Sequence, residues 1–269
     1  MRLGYCLNMI ARGADGIGAE WIPRAREMGM DYVEIALAQS MALGAADFRA
    51  RILDPLRDAT LPCLCCNNFF PGSIRLTGPD ADLPAALEYA RAALDRAAAL
   101  GASRVVFGSS GARNRPDGFS RADALLQLAD LLGTLGELAR ARGLVIVMET
   151  LNYVESNVLN HLSETRALVR RVDHPSVRML VDSYHLWMVN DAPSDAAALG
   201  DDLRHVHVAR TLGRGLPAPG DDEPWAAFFA ALRSAGYDGG VSIEANAPRE
   251  DTARRVAEAA AFLRTHMNG

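Results

Sequence analysis

The stretch LVIVMETLNYVE, residues 144–155, poses the question that decides the fold. A run of branched apolar residues, the composition of a buried strand, stops at Glu149, and a second carboxylate, Glu155, follows six positions later. A strand built to be buried ends in a charge only where something waits for that charge.

Outward from this stretch, short β-rich runs alternate with longer helical segments from one end of the chain to the other. The runs are 2–8, 31–37, 61–66, 103–108, 144–149, 177–182, 203–208 and 239–244. Between them lie amphipathic segments such as LPAALEYARAALDRAAALG, with Leu83, Leu87, Ala90 and Leu94 at helical spacing. Glycine precedes several strands, in REMGMDYVE, AALGASRVV, ARGLVIV and SAGYDGGVS, where it acts as a helix stop. Eight strands, each followed by a helical segment within about 250 residues, predict a single α/β domain over 1–269, a (β/α)8 TIM barrel. An open doubly wound sheet is the rival, but no GxGxxG turn follows the first strand.

Composition narrows the chemistry. Apolar residues form 49 % of the 269, ample for a large core. A net charge of −5 argues against a nucleic-acid surface. No apolar segment reaches the ~20 residues of a membrane span, and the amino terminus lacks the pattern of a signal peptide, so a cytoplasmic protein is expected. All 28 basic residues are arginine, which excludes Schiff-base chemistry and a phosphate loop ending in lysine. The four cysteines, Cys6, Cys63, Cys65 and Cys66, read as buried free thiols. In LPCLCCNN, strand alternation would place Cys63 and Cys65 on one face and Cys66 on the other.

In such barrels the chemistry lies at the carboxyl ends of the strands. Strand five ends in Glu149, strand six in Asp182, strand seven in His207 and strand eight in Glu244. One acid after a strand is as often a cap as a ligand, and one histidine as often a satisfied core residue. Four at equal depth are different, because adjacent strands lie ~5 Å apart and their ends converge. Three carboxylates and an imidazole so placed repel one another unless a cation neutralises them. An oxygen-rich set with one nitrogen suits Mn²⁺, Mg²⁺ or Co²⁺, with Zn²⁺ compatible. The histidine's other ring nitrogen should find a partner that the sequence does not identify.

The order E…D-x-x-H…H-x-H…E resembles the sugar phosphate isomerase/epimerase superfamily of xylose isomerase-like TIM barrels. Ketose 3-epimerases of the tagatose and psicose type are its nearest chemically described members. METLNYVE is similar to the family's E-x-x-N-x-x-E, DSYH to its D-x-x-H, HVHV to its H-x-H and SIEA to its strand-eight glutamate. The resemblance implies that Glu149, Asp182, His207 and Glu244 bind one divalent metal ion, Mn²⁺ first. It implies that Glu149 and Glu244 double as the acid/base pair of an isomerase or epimerase. They would move a proton next to a carbonyl of a sugar, keto sugar or sugar phosphate through a metal-stabilised enediolate. It further implies substrate contacts from Glu155, His185 and an arginine after strand seven, Arg214, with Arg210 as its rival. The family's epimerases often carry arginine where this chain has Tyr153, and the loops after strands two and three match no known sugar specificity.

Other readings share the barrel. A metal-dependent lyase, dehydroshikimate dehydratase-like or glycoside-eliminating, would use the same enolisation, as would a hydroxypyruvate isomerase. An endonuclease IV-like phosphodiesterase needs three zinc ions and more histidines than His185 and His207. A non-catalytic sugar-binding descendant would be expected to lose one of the two glutamates. The expected partner is a small carbohydrate, without nucleic acid or membrane, and homo-oligomerisation stays open. Arg113 and Arg115 are expected at the barrel mouth, either holding an anion or in a solvated loop, the second being favoured. Asn67 and Asn68 would reach the pocket or cap a turn. Of Trp187, Trp225, Phe69 and Phe70, at least half should pack rather than wall the pocket.

Overall fold

Eight parallel strands close into a ring in the computed structural model, which describes residues 1–267. They are β1 (Arg2–Cys6), β2 (Tyr32–Ala36), β3 (Cys63–Asn67), β4 (Arg104–Phe107), β5 (Val145–Glu149), β6 (Val177–Asp182), β7 (Leu203–Val208) and β8 (Gly240–Ile243). Each pairs with its sequence neighbour, and β8 pairs back to β1. The expected (β/α)8 barrel and its strand order are both present.

The helices follow local chemistry. Helix α1 (Leu83–Ala99) starts where the Asp82 side chain accepts from the Ala85 backbone N–H. Helix α2 (Arg121–Arg140) starts where Ser120 accepts from Asp123. Helices α3 (Leu162–Val172), α4 (Trp225–Ser234) and α5 (Thr252–Met267) cover the later strands. Gly101, Gly143 and Gly236 all take positive φ just before a strand, the conformation that ends a helix cheaply only at glycine. The stripe that α1 buries is Ala86, Ala90, Ala93, Leu94 and Ala97, whereas Leu83 is exposed. In an alanine-rich helix the small residues also fit the period, and they carry the closer packing.

Two units depart from the simple alternation. After β1 the chain makes 3-10 turns at Leu7–Ile10 and Ala19–Arg24, the second containing Pro23, which lacks the N–H a longer helix would need. After β2 a composite of short helical pieces runs from Leu37 to Asp58. Strand β3 starts at Cys63, two residues later than expected. Pro62 cannot donate to the ladder, although its carbonyl accepts from Val33 at 3.0 Å.

The pairing of β2 with β3 also slips: Val33 faces Cys63, but Glu34 faces Cys65, leaving Leu64 as the extra residue. The slip overturns the expected cysteine arrangement. Cys65 sits with Val106, Val147 and Leu180 in a small cluster, while Cys63 and Cys66 belong to the large surrounding core. All four thiols are free and buried.

Strand β5 shows how the fold aims its end. Ile146 and Met148 join the surrounding core, so alternation turns Val147 and Glu149 to the inside of the ring. Between β6 and β7, Asp182 pairs directly with His207. Trp187 and Trp225 meet edge to face with centroids 4.8 Å apart, and Phe228 lies 5.8 Å from Trp187. Trp187, Trp225 and Phe69 are packing residues, while Phe70 both packs and lines the cavity described below.

Phe228 is fully buried on α4, away from the strand ends. Phe228→Ala should cost about 3–5 kcal/mol of stability. Urea denaturation should show a lower midpoint at unchanged slope.

Candidate active site

Glu149, Asp182, His207 and Glu244 each offer a ligand atom within 4.8 Å of the others, and all four are buried. His207 Nδ1 lies 3.1 Å from Glu244 Oε2 and 3.6 Å from Glu149 Oε1. The backbone leaves room for this: a side chain at Gly108, just past β4, would run into the Glu149 carboxylate. Asn67, at the end of β3, reaches in from the other side, its Nδ2 3.3 Å from Glu244 Oε1 and 2.9 Å from Asn8 Oδ1. Asn68 takes positive φ and lines the cavity.

The NYVE part of the opening stretch is an asparagine-centred turn. Asn152 Oδ1 accepts from the backbone of Val154 at 2.9 Å and of Glu155 at 3.1 Å, which brings Glu155 back towards the strand ends. The other end of Asn152 faces His185. Both its side-chain amide (2.9 Å) and its backbone N–H (3.2 Å) point at His185 Nδ1. Two donors make Nδ1 an acceptor, so the ring's hydrogen sits on Nε2. That Nε2 has no hydrogen-bond partner among the described residues. Burial, with Arg214 beside it, holds His185 well below the usual imidazole range, hence neutral.

Arg214 is the arginine after β7 that enters the cluster. Its guanidinium lies 3.0 Å from Asp182 Oδ2, contacts Glu244 Oε2, lies 3.5 Å from Glu155 Oε1 and stacks 4.8 Å over the Tyr184 ring. Arg210 turns away to Asp221 at 3.3 Å. Part of the negative charge is therefore met by the chain itself. Burial would raise the Glu244 carboxyl, but Arg214 and His207 hold it well below its ordinary range. Burial pushes Asp182 up to about 7, with Arg214 opposing and Glu244 and Glu149 adding to the rise.

Arg113 is a correction. It lies neither at the mouth nor in a solvated loop but fully buried, donating to the backbone carbonyls of Glu149 at 2.9 Å and Phe107 at 3.4 Å. The short helix Ser110–Arg113 folds the side chain back beneath the ends of β4 and β5. Burial lowers its pKa to about 10, still charged at neutral pH. Arg115 donates to the Phe119 carbonyl at 2.9 Å.

Sequence reading missed Glu34, and it quoted His205 in the H-x-H motif without giving it a role. Glu34 is fully buried on β2, 2.5 Å from His205 Nε2 and 3.3 Å from His207 Nε2. The signal was available: an acid inside the apolar run DYVEIAL, and a second histidine two residues before His207 on the same strand face.

The cluster opens into a cavity of about 500 Å³. Glu149, Glu155, His185, Arg214 and Glu244 form its charged and imidazole side, and Gln39, Asn68, Ser109 and Ser110 its neutral polar side. As a metal centre the donor set is three carboxylates and one imidazole nitrogen, and Glu149 Oε1 is buried with no hydrogen-bond partner among the described residues. The set fits a hard or borderline divalent cation.

Residues 22–266 match the family model of the xylose isomerase-like TIM barrel. The chain is 28 % identical over 227 residues to an L-ribulose 3-epimerase of Methylomonas sp. (strain DH-1), covering 83 % of this chain and 76 % of that one. It is 32 % identical over 141 residues to a 3-dehydro-D-guloside 4-epimerase of Escherichia coli, covering 51 % of this chain and 52 % of that one. Its fold superimposes on D-psicose 3-epimerase of Clostridium cellulolyticum H10, solved with D-tagatose. The TM-score is 0.88 and the identity 19 %, over 99 % of both chains.

The Asp182 shift gives a pH test. Its carboxyl rises from 3.8 to about 7 on folding, so the folded state holds that proton more tightly. The stability it contributes is complete below the unfolded value and is lost as pH rises towards the folded one. In chelator, thermal unfolding of the wild type should lose ground relative to Asp182→Asn between about pH 4 and 7. Parallel pH profiles for the two proteins would contradict the shift.

Proposed function

The chain belongs to the xylose isomerase-like TIM barrel family, and on that premise we propose that it is a divalent-metal-dependent epimerase of a keto sugar. The carrying observation is the convergence of Glu149, Asp182, His207 and Glu244 at the floor of a cavity whose walls include both glutamates. The names of its relatives, ketose 3-epimerases over most of the chain's length, support the same reading.

Glu149, Asp182, His207 and Glu244 would hold the cation, with Mn²⁺ first and Co²⁺, Mg²⁺ or Zn²⁺ as substitutes. When bound, it supplies a Lewis acid that stabilises negative charge developing on the substrate's oxygens. The residues do the rest. Glu149 and Glu244 rise from strands three apart around the ring, so their carboxylates address a bound carbon from different sides. One takes the proton from the carbon next to the carbonyl, and the other returns a proton to the opposite face, which inverts that centre. A single base shuttling along one face would give 1,2-isomerisation instead.

His185 Nε2–H donates to a substrate oxygen, and Glu155 accepts from a hydroxyl. Arg214 donates to substrate oxygens while neutralising the acids around it. Gln39, Asn68, Ser109 and Ser110 suit the hydroxyls of an uncharged sugar, and Arg214 is the one guanidinium among the described lining residues. The free, buried thiols suit a reducing compartment, and we place the protein in the cytoplasm.

The reading is tested on a panel of free and phosphorylated ketoses in D₂O. Deuterium should enter at the carbon next to the carbonyl, chelation should abolish turnover and Mn²⁺ should restore it. Glu149→Gln and Glu244→Gln should each lower kcat by about 10²–10⁴-fold. Full activity in Glu244→Gln would sink the two-carboxylate mechanism, and no exchange with any ketose would turn the assignment towards elimination.

A further inference from the structure

We infer that Glu34 is a positioning residue: from one layer beneath the acidic cluster it holds His207 by Nε2, so that Nδ1 is the nitrogen presented to Glu149 and Glu244. The inference rests on the proposed metal site, since it concerns how that site's one nitrogen donor is aimed.

Both carboxylate oxygens of Glu34 lie 3.3 Å from His207 Nε2. A ring nitrogen that carries its hydrogen towards a carboxylate leaves the lone pair of the other nitrogen free to act as a ligand. Glu34 is itself fixed. His205 Nε2 donates to it at 2.5 Å, and the Ser242 hydroxyl donates as well. Ser242 stands beside His207 in the β7–β8 register and is hydrogen-bonded to the Tyr32 hydroxyl at 2.7 Å.

The backbone is cut to fit this arrangement. A side chain at Gly4 would strike the Tyr32 ring, and one at Gly240 would lie 2.6 Å from the Tyr32 oxygen. Glycine at both places admits the tyrosine that steadies the serine that steadies the glutamate.

An ordinary packing role does not account for it. A buried carboxylate is costly unless fully matched, and the neighbouring inward positions Val106, Val147 and Leu180 are filled by plain aliphatic residues. Glu34 instead gathers three donors, one of which belongs to a residue of the cluster above it. Its alternative use is as a ligand, because Cys6, Glu34 and His207 also bring ligand atoms within 4.8 Å of one another. Cys6 Sγ lies 3.8 Å from His207 Nε2, the nitrogen already occupied by Glu34.

The test is calorimetric titration of the full chain with Mn²⁺, together with ¹⁵N imidazole spectra of the Zn²⁺-loaded protein. Wild type should bind one ion, with His207 protonated at Nε2 and coordinated at Nδ1. Glu34→Gln should weaken Mn²⁺ binding by about 10–100-fold and lose that single tautomer pattern. Glu34→Asp, which keeps the charge with a shorter reach, should fall between the two and carries the test if the glutamine variant does not fold. Val106→Ala, a truncation in the same interior, should lower stability but leave Mn²⁺ affinity and the His207 pattern unchanged.

Wild-type affinity and pattern in Glu34→Gln would overturn the positioning role while leaving the metal site standing. A wild type that binds no Mn²⁺ would overturn the site and the inference together. Two ions per chain, falling to one in Glu34→Gln, would make Glu34 a ligand and overturn the role assigned here.

Discussion

Closing eight parallel strands into a ring forces whatever stands at their carboxyl ends into one small volume, and at the ends of β5, β6 and β8 this chain places acids. Three residues around the cavity answer that crowding. Arg214 reaches from the loop after β7 to Asp182, Glu244 and Glu155. His207 lies between Glu244 above and Glu34 below. Arg113 is drawn under β5 with its charge buried, bonded to the carbonyl of the residue whose carboxylate enters the cluster. A barrel with apolar strand ends would need none of these, and would offer no place where charge could be focused on a substrate.

The ring and its upper layer were legible because they obey simple periods. Eight apolar runs, several preceded by glycine stops, name the strands, and four of those runs carry Glu149, Asp182, His207 and Glu244 at or next to their ends. Depth along a strand is readable from the chain, so convergence at the top followed from the fold alone. The E-x-x-N-x-x-E motif was visible, but not the turn it makes, in which Asn152 holds Glu155 with one end and His185 with the other.

What the sequence hid depends on register and direction. The slip beside Leu64 reversed the facing of the cysteines, because one extra residue turns every later side chain to the other face. Arg113 was hidden because an arginine in a Gly-, Ser- and Asn-rich loop looks solvated, and only the backward course of a four-residue helix buries it. Glu34 escaped for a different reason. It breaks an apolar run in its middle, not at its end, so the rule that finds ligands at strand ends passes over a residue in the layer below.

The asparagine clamp on His185 sets the polarity of one wall of the cavity. With Nδ1 committed to two donors, the ring can only give a hydrogen bond to what lies beyond it. On the proposed reading, a substrate atom seated there must bring a lone pair. A hydroxyl or carbonyl does so, whereas the ammonium of an amino sugar brings only hydrogens and would leave two donors facing each other out of water. On the proposed reading the wall would sort sugars by the element at one carbon, and the selection would be set by Asn152, which does not itself line the cavity.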